Sequence, residues 1–479
     1  DSITITGLEN LENGSYLARA SDLSVEASGD IVGATLTAEA GDLSLQAVKI
    51  ANTRVTAQVG AVSLDAEGLL GSDVFGFDGI EAKGFNEMAN STLTANELVT
   101  LESSFVDNVD ILATSIEASG ITELFAGSWV AYEGDIDVAA AEISATSFIA
   151  SDNGDNTLGN ISITDAQLMK NIVADADGNF NAVNNIGDII EGNIVAGKTA
   201  EIAAANIIGS TIDAEVLDLT ATAAIQGLTA RAATTASLTA SDIIDAMVTA
   251  SDIAVAVDSI DGGQLRADLV EFEGNGGEIS IGSEAAVNVV GAESITVTDG
   301  ALVNIASNND NDTSFEVSAS GDVILSQGLG NMLVNIETGA NVVLAAAADI
   351  SGEVTADKLS ISTAENVDLT TTIATLKANV AETLKLVEAD DLAIDLVQAG
   401  KSVSLQALAG NISDSENDQI VDISAPEIIL SATGDIGANG NALELSGQSL
   451  AIDADGLVNL FNLSSQDVTV TALRAGESI

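Results

Sequence analysis

Residues 23–27 read Leu-Ser-Val-Glu-Ala, and close variants return as Leu-Ser-Leu-Gln-Ala at 43–47, Val-Ser-Leu-Asp-Ala at 62–66 and Val-Ser-Leu-Gln-Ala at 403–407. In each copy apolar and polar residues alternate, which is typical of a β-strand with one buried face. Such a short strand cannot bury its apolar face alone, so its near-regular return at positions 23, 43 and 62 indicates stacked coils. The repeat therefore predicts an all-β protein whose fold is a β-solenoid, with about 19–20 residues in each coil.

The domain organisation follows from this fold, because a solenoid grows coil by coil and is not limited by the size of a spherical core. We therefore predict a single elongated β-solenoid domain that covers residues 1–479. The alternation weakens in four stretches, where we expect inserted loops or irregular coils. These stretches are residues 72–92, 124–134, 152–160 and 305–313.

Gly-Asp pairs punctuate the chain and several of them directly precede an alternating run, as at 41–42 and 321–322. We interpret them as turns in which glycine supplies a positive φ and aspartate bonds to its own backbone. On this interpretation they are structural residues without a further role.

The chain is strongly acidic, with 73 Asp and Glu against 13 Lys and Arg and a formal net charge of −60. Hydrophobic residues nevertheless make up 46% of it, which disordered chains do not combine with high charge. A fold with carboxylates on its surface and aliphatic side chains in its core would account for both the high charge and the high hydrophobic content. Such a surface repels nucleic acid and anionic membranes, so neither is an expected partner. Membrane insertion is also not expected, because the longest apolar run, 342–348, is too short to span a bilayer.

The residue types limit the possible chemistry, because the chain contains no cysteine and no histidine. Disulfide bonds, cysteine nucleophiles, Ser-His-Asp triads and the common zinc sites are excluded. Paired carboxylates could still serve a β-helical polysaccharide-active enzyme, which is one alternative function. The cations are scattered singly and aromatic residues are rare, whereas carbohydrate clefts usually need stacking aromatics and, for acidic sugars, a basic groove. We therefore predict that the protein is not an enzyme and requires no cofactor.

Calcium is the metal that the composition favours, because aspartates on glycine-containing loops supply hard oxygen ligands. The candidate ligands are three pairs, Asp152 with Asp155, Asp175 with Asp177, and Asp453 with Asp455. Neither the EF-hand pattern nor the Gly-Gly-x-Gly-x-Asp nonapeptide is present. The alternative is that these are solvated turn residues and that divalent ions screen the surface charge diffusely.

Phe125, Trp129 and Tyr132 form the densest aromatic group in a chain that is only 3% aromatic. Such a group could be a stacking platform for a glycan or a contact for a protein. The alternative is a local hydrophobic cluster beneath an insertion. We predict these three residues as a candidate binding site.

The C-terminal third carries the clearest family likeness. Residues 403–412 read Val-Ser-Leu-Gln-Ala-Leu-Ala-Gly-Asn-Ile, and 428–445 read Ile-Ile-Leu-Ser-Ala-Thr-Gly-Asp-Ile-Gly-Ala-Asn-Gly-Asn-Ala-Leu-Glu-Leu. This style resembles the repeats of filamentous haemagglutinin-type exoproteins and related large bacterial adhesins. The resemblance implies a right-handed parallel β-helix, a cell-surface or extracellular location, and an adhesive or fibrous role.

Strand alternation extends over residues 1–5 and 467–472, so we expect open β edges that favour head-to-tail stacking into filaments. We therefore predict a secreted, non-enzymatic structural protein: the subunit of a fibre or surface appendage that serves adhesion, matrix scaffolding or cell linkage. Its expected partners are further copies of itself, with a cell-surface or glycan receptor as another candidate. The alternative is a monomeric surface adhesin, an autotransporter-like passenger that binds through projecting loops.

Overall fold

The alternation at 23–27 becomes a strand whose inward residues are buried. Leu23 lies in register with Leu43 of the next coil, and Leu43 with Val62 of the coil after it. Parallel strands repeat in this way through about 22 turns, spaced about 19 residues apart, so the prediction of an all-β solenoid is confirmed. The computed structural model describes residues 2–151, 158–266, 269–281, 288–290, 294–300, 302–307 and 312–476. None of these ranges contains a helix, and so none contains a helix that could cross a membrane.

The strands are mostly short, and several continue from one side of a coil to the next. In chain order, the first 27 are β1 (Ile3–Leu8), β2 (Leu11–Glu12), β3 (Ser15–Ala18), β4 (Leu23–Ala27), β5 (Asp30–Val32), β6 (Thr35–Ala38), β7 (Leu43–Ala51), β8 (Arg54–Ala57), β9 (Val62–Leu70), β10 (Asp73–Gly76), β11 (Ile80–Ala89), β12 (Thr92–Ala95), β13 (Leu98–Asp107), β14 (Asp110–Ala113), β15 (Ser115–Phe125), β16 (Ser128–Ala131), β17 (Ile136–Ser144), β18 (Ser147–Ala150), β19 (Ile161–Thr164), β20 (Leu168–Lys170), β21 (Val173–Ala176), β22 (Phe180–Asn184), β23 (Asp188–Ile190), β24 (Asn193–Ala196), β25 (Thr199–Ile208), β26 (Thr211–Gln226) and β27 (Thr229–Thr249).

The strands that follow are β28 (Asp252–Arg266), β29 (Leu269–Ile281), β30 (Asn288–Val290), β31 (Ser294–Gly300), β32 (Leu302–Ser307), β33 (Thr313–Ala319), β34 (Val323–Gln327), β35 (Met332–Thr338), β36 (Asn341–Ala346), β37 (Ile350–Thr363), β38 (Asn366–Val380), β39 (Thr383–Glu388), β40 (Leu392–Ala399), β41 (Ser402–Ala407), β42 (Ile412–Asp414), β43 (Ile423–Ser424), β44 (Glu427–Ala432), β45 (Leu443–Ser446), β46 (Ser449–Ala454), β47 (Leu460–Asn462) and β48 (Thr469–Ala475).

Contacts between residues divide the chain into two units, Asp1–Ala240 and Ser241–Ile479. A coil of the first unit has three strand segments, as in β4, β5 and β6, and each segment pairs with its counterparts in adjacent coils. The inward residues form aliphatic columns: Ile31, for example, is followed in register by Ile50 and Leu69. The second unit is built by the same stacking, as in β39, β41 and β44.

One corner of the first unit has a left-handed backbone conformation in coil after coil. Its φ angles lie between 50° and 63°, a region that glycine and asparagine enter more readily than other residues. At this corner the main-chain N–H of Asn52 donates to the carbonyl of Leu70 in the next coil, at 2.8 Å. The corner residues are Asn13, Gly33, Asn52, Gly71, Asn90, Asn108, Ala126, Ala145, Asn171, Glu191, Gly209 and Gly227.

Hydroxyl groups satisfy part of the buried backbone beside this corner. Ser72 is fully buried, and its Oγ donates to the carbonyl of Leu70 at 3.0 Å. The same oxygen accepts a hydrogen bond from the main-chain N–H of Thr53, at 3.2 Å. Ser91 repeats this pattern one coil later by accepting from the N–H of Ser72. These small polar residues therefore link successive coils within the core.

The Gly-Asp pairs also link coils, and this corrects our interpretation of them as turns with a positive φ. The φ of Gly41 is not in the left-handed region. Instead, Asp22 Oδ1 accepts the main-chain N–H of Asp42 at 3.0 Å, and Asp42 Oδ1 accepts that of Ala61 at 2.9 Å. A Cβ on Gly41 would lie 2.3 Å from Asp22 Oδ1, so only glycine leaves room for the aspartate of the preceding coil.

The second unit contains a longer series of the same kind. Asp312 Oδ1 accepts the N–H of Asn331, Asn331 Oδ1 accepts that of Asp349, and Asp349 Oδ1 accepts that of Asn366, at 3.1 to 3.2 Å. Asn366 Oδ1 then accepts the hydroxyl of Thr383 at 2.7 Å. We call these side-chain series Asx ladders. They provide an acceptor for a main-chain donor where the chain enters a strand.

Two of the predicted interruptions are not inserted loops. Residues 72–92 continue the coils, since Asp73 lies in register with Arg54 and Thr92, and their irregularity is a bulge in β11 near Gly84. Residues 124–134 are likewise part of regular coils through β15 and β16. Their aromatic and glycine content weakens the sequence alternation without lengthening the coil.

The other two predicted interruptions lie partly outside the described residues, at 152–157 and 308–311. Across the first of them, Ile136 pairs with Ile161, so this coil is clearly longer than the usual one. Across the second, Ile295 pairs with Phe315, which keeps the usual coil length. A further irregular stretch, not predicted from the sequence, lies at 413–425.

Candidate functional site

The three residues of the predicted aromatic site do not share one exposed face, because they differ in burial. Trp129 is fully buried, and its Nε1 donates to the carbonyl of Val109 at 3.1 Å. Phe125 is 50% exposed, whereas the Tyr132 hydroxyl donates to the carbonyl of Asn96 at 3.1 Å. Trp129 occupies an inward position of β16, so it belongs to the core and cannot stack on a glycan.

The predicted calcium ligands have three different outcomes. Asp152 and Asp155 lie outside the described residues. Asp175 is an exposed residue of β21, and the main chain of Asp177 bonds to Ala150. Among the described residues, neither of these two belongs to a group of three or more potential metal ligands.

Asp453 and Asp455 are close to a common partner, but that partner is Arg474. Its Nη2 donates to Asp455 Oδ1 at 2.7 Å, and its Nε donates to Asp453 Oδ1. The hydrogen bonds and charge of Asp453, followed by those of Asp455, raise the pKa of Arg474. Both carboxylates are therefore paired with the Arg474 guanidinium, and their assignment to calcium stays a prediction.

Several other cations also pair with carboxylates on the surface of the solenoid, most often one coil away. The pairs are Arg54 with Asp73, Lys83 with Glu81, Lys198 with Glu215, Lys377 with Asp395, Lys385 with Asp368, and Lys401 with Glu382. Both members of each pair are substantially exposed, so each contributes little to stability.

An open groove of about 1020 Å³ follows the Asx ladder of the second unit. Asp349 lies in it and accepts from both the N–H and the Nδ2 of Asn366. Asp368 also lines it and accepts from the Nζ of Lys385 at 3.0 Å. These two carboxylates thus join neighbouring coils, and neither is held out toward the groove as a free acid or base.

Three buried carboxylates meet elsewhere in the second unit. Asp414 ends β42, Asp422 immediately precedes β43, and Glu444 lies in β45. Each offers one oxygen, and these oxygens lie within 4.8 Å of one another. The three residues are only 7%, 3% and 6% exposed, respectively. We call this group the acidic triad.

The triad is anchored by the backbone but retains unpaired oxygens. Asp422 Oδ2 accepts the main-chain N–H of Glu444 at 2.7 Å, and Asp414 Oδ1 accepts that of Glu416 at 2.8 Å. Within the described structure, Asp414 Oδ2 and Glu444 Oε2 are buried and have no hydrogen-bond partner. Burial without a partner is unfavourable for a polar atom and more so for a charged one.

Electrostatics within the triad disfavour three full negative charges. The pKa of Asp422 is raised to about 7, and burial is the largest cause of this shift. The hydrogen bond from the Glu444 N–H opposes the shift, whereas the negative charge of Asp414 and both the hydrogen bond and the charge of the Glu444 side chain add to it. Near neutral pH the burial of the acidic triad therefore favours a bound proton or a bound cation.

The triad was not predicted from the sequence, because its members are separated in the chain and meet only through coils of unusual length. Val397 pairs with Ile423, so the coil between them is longer than those around it. A signal was nevertheless present. In the run Ile412-Ser-Asp414, alternation places the aspartate on the same inward face as Ile412.

Comparison with protein-family models, curated proteins and solved structures finds no match for this chain. The resemblance to filamentous haemagglutinin-type exoproteins therefore stays a prediction from the style of the repeats.

Proposed function

We propose that the protein is a structural protein whose functional part is the solenoid itself, as the subunit of a fibre or surface appendage. The observation that supports this most strongly is the use of its polar side chains. The Asx ladders, the buried hydroxyls and most of the surface ion pairs join one coil to another, as Asp22 does for Asp42. A chain in which each coil is tied to its neighbours is suited to mechanical work.

We place this work outside the cell, at the cell surface or in a matrix. A net charge of −60 produces strong self-repulsion, which salt and divalent cations weaken. Modules with weak calcium sites are common outside cells, where their dissociation constants reach about 10⁻⁴–10⁻³ M. A carboxylate-rich solenoid is compatible with such an environment.

Self-association is the assembly mode that we propose, because parallel ladders offer main-chain N–H and C=O groups to a strand of another copy. Negative-stain microscopy of the purified full chain tests it. We expect linear polymers whose length increases with protein concentration and with millimolar calcium. Single particles of constant length at every concentration would contradict the fibre proposal.

A surface adhesin is the second candidate, and the segment 415–421 favours it. This segment contains Ile420, whose side chain is 68% exposed. An exposed apolar residue on a loop is suited to contact with a receptor. If the chain is an adhesin, I420S should reduce its binding to target cells or immobilised glycans. Val59 of the first unit is also exposed, so the matched variant V59S should bind like the original. Equal binding by both variants would exclude this segment as the contact.

A further inference from the structure

We propose that the acidic triad of Asp414, Asp422 and Glu444 binds one divalent cation, and that this cation is calcium. The site is distinct from the aspartates at 175–177 and 453–455, which the sequence suggested. It goes beyond the structural role proposed above and does not depend on fibre assembly.

Two buried oxygens of the acidic triad have no hydrogen-bond partner in the described structure. Asp414 Oδ2 and Glu444 Oε2 belong to residues that are more than nine-tenths buried, and both lack a partner in the described structure. Buried polar atoms in folded proteins nearly always have a partner, so two orphan oxygens in one group of carboxylates indicate a missing positive ligand. Asn441 lies beside them, since its Nδ2 donates to the carbonyl of Asp414 at 3.3 Å. Its Oδ1 is also buried without a partner.

The donor atoms of the acidic triad favour calcium over other metal ions. The ligating atoms of the triad are all oxygens, and its oxygens lie within 4.8 Å of one another, close enough to surround one ion. Such donors suit hard cations and not copper or zinc, which prefer nitrogen and sulfur. A site supplied by several protein carboxylates favours calcium, because magnesium usually keeps most of its water.

The acidic triad lies where two coils meet at the ends of one irregular segment. Asp414 and Asp422 flank the segment 415–421, and Glu444 belongs to the next coil through the pairing of β43 with β45. A bound cation would therefore close the base of this segment and join two coils. The hydrogen bond from the Glu444 N–H already positions the Asp422 carboxylate, so the role left to the cation is to neutralise the negative charges of the triad.

A shared proton is the competing explanation. A proton between Asp422 and Glu444 would relieve one negative charge but would supply no partner for Asp414 Oδ2. The two explanations differ in their dependence on calcium at a fixed pH, and this difference can be measured.

The experiment uses the full chain at pH 8 in 150 mM salt, freed of metal with a chelator and then titrated with calcium or magnesium. Endoprotease Glu-C cleaves after Glu416, inside the segment that the cation would close. Mass spectrometry follows that cleavage and, in the same sample, cleavage after the exposed Glu97 of the first unit. We expect calcium to slow cleavage after Glu416 about tenfold or more, and to leave cleavage after Glu97 unchanged.

Two substitutions test the ligands. D422N and E444Q should each abolish the protection and remove about one equivalent of calcium binding in calorimetry. The matched control D453N removes the same charge from the surface and should keep both. Because calorimetry counts ions directly, it is informative even if one of the variants is less stable.

Three results would overturn the proposal. Equal protection by calcium at Glu416 and Glu97 would mean that calcium only screens the surface charge diffusely. An absence of calcium protection in the unsubstituted chain would mean that protonation alone satisfies the triad. Loss of one calcium equivalent in D453N as well as in E444Q would show that the count reports net charge and not a site. None of these results bears on polymer formation, so the site and the proposed function can fail separately.

Discussion

Trp129 and Phe148 meet edge to face inside the first unit, with ring centroids 5.7 Å apart and ring planes at 85°. They are register neighbours on β16 and β18, one coil apart. This geometry is favourable for aromatic rings, and both side chains are fully buried. The only tryptophan of the chain is thus a core residue that fixes the contact between two coils.

We predict that W129A lowers the free energy of unfolding by about 3–5 kcal/mol, because it leaves a large cavity and removes the ring contact. F125A, at a half-exposed position shortly before it, should change it by less than about 0.5 kcal/mol. Urea unfolding followed by circular dichroism measures both. A glycan-binding tryptophan would behave in the opposite way, with affinity lost and stability kept.

We predict that G41A destabilises the protein by about 1–3 kcal/mol, because the added methyl group would overlap Asp22 Oδ1 at 2.3 Å and the Ser21 carbonyl carbon at 2.7 Å. G339A is the matched control, since a Cβ there meets nothing within 4 Å. Hydrogen exchange at the Asp42 amide should be faster in G41A alone. Equal behaviour of the two variants would show that the Asx ladder does not require glycine.

We predict that D349A costs about 1–2 kcal/mol, because the N–H and the Nδ2 of Asn366 both lose their acceptor. D349N retains a side-chain oxygen at the same place and should recover most of that stability. Amide exchange at Asn366 provides the local measurement. If D349N were as unstable as D349A, the charge of Asp349 would be what matters, and not its hydrogen bonds.

We predict that Glu388 makes stability depend on pH. It is fully buried, and burial raises its pKa although Thr371 and the N–H of Ile373 donate to the carboxylate. The folded state therefore holds this proton to a higher pH than the unfolded state does. Ionisation of the buried Glu388 therefore destabilises the folded state. This loss of stability is absent below the unfolded-state pKa of about 4.3 and complete above the folded-state pKa.

The variant E388Q removes this titration. Its stability relative to the unsubstituted chain should increase as the pH rises above about 4.3, and thermal melts across that range measure the difference. The exposed E337Q on β35 is the control and should show no such increase. A difference between E388Q and the unsubstituted chain that stays constant with pH would contradict the prediction.

The fold could be predicted because its cause is local and repeated. Alternation of the kind seen at Leu23 and Leu43 specifies a buried face, and the near-constant spacing of the copies specifies stacking. The inward orientation of Trp129 could not be predicted, because it depends on the register of β16 with Ile111 in the preceding coil. In that stretch glycine and aromatic residues obscure the alternation.

The acidic triad required more than local pattern. Asp414 and Glu444 are distant in the sequence, and only the lengths of the intervening coils bring them together. The coil length near 413–425 departs from the usual repeat. Counting along the sequence in steps of one regular coil would therefore place Asp414 and Glu444 on different sides of the solenoid. The role of glycine before aspartate was missed for a similar reason, because the atom it avoids belongs to the previous coil.

The column of left-handed corners has an evolutionary consequence. Coils of the first unit enter and leave this column with the same backbone conformation, from Asn13 to Gly227. If a gene segment that encodes one coil were inserted or removed between two such corners, the chain could continue without disturbing the coils on either side. Duplication or deletion in units of one coil is therefore a route by which this protein could change its length while its cross-section is inherited intact.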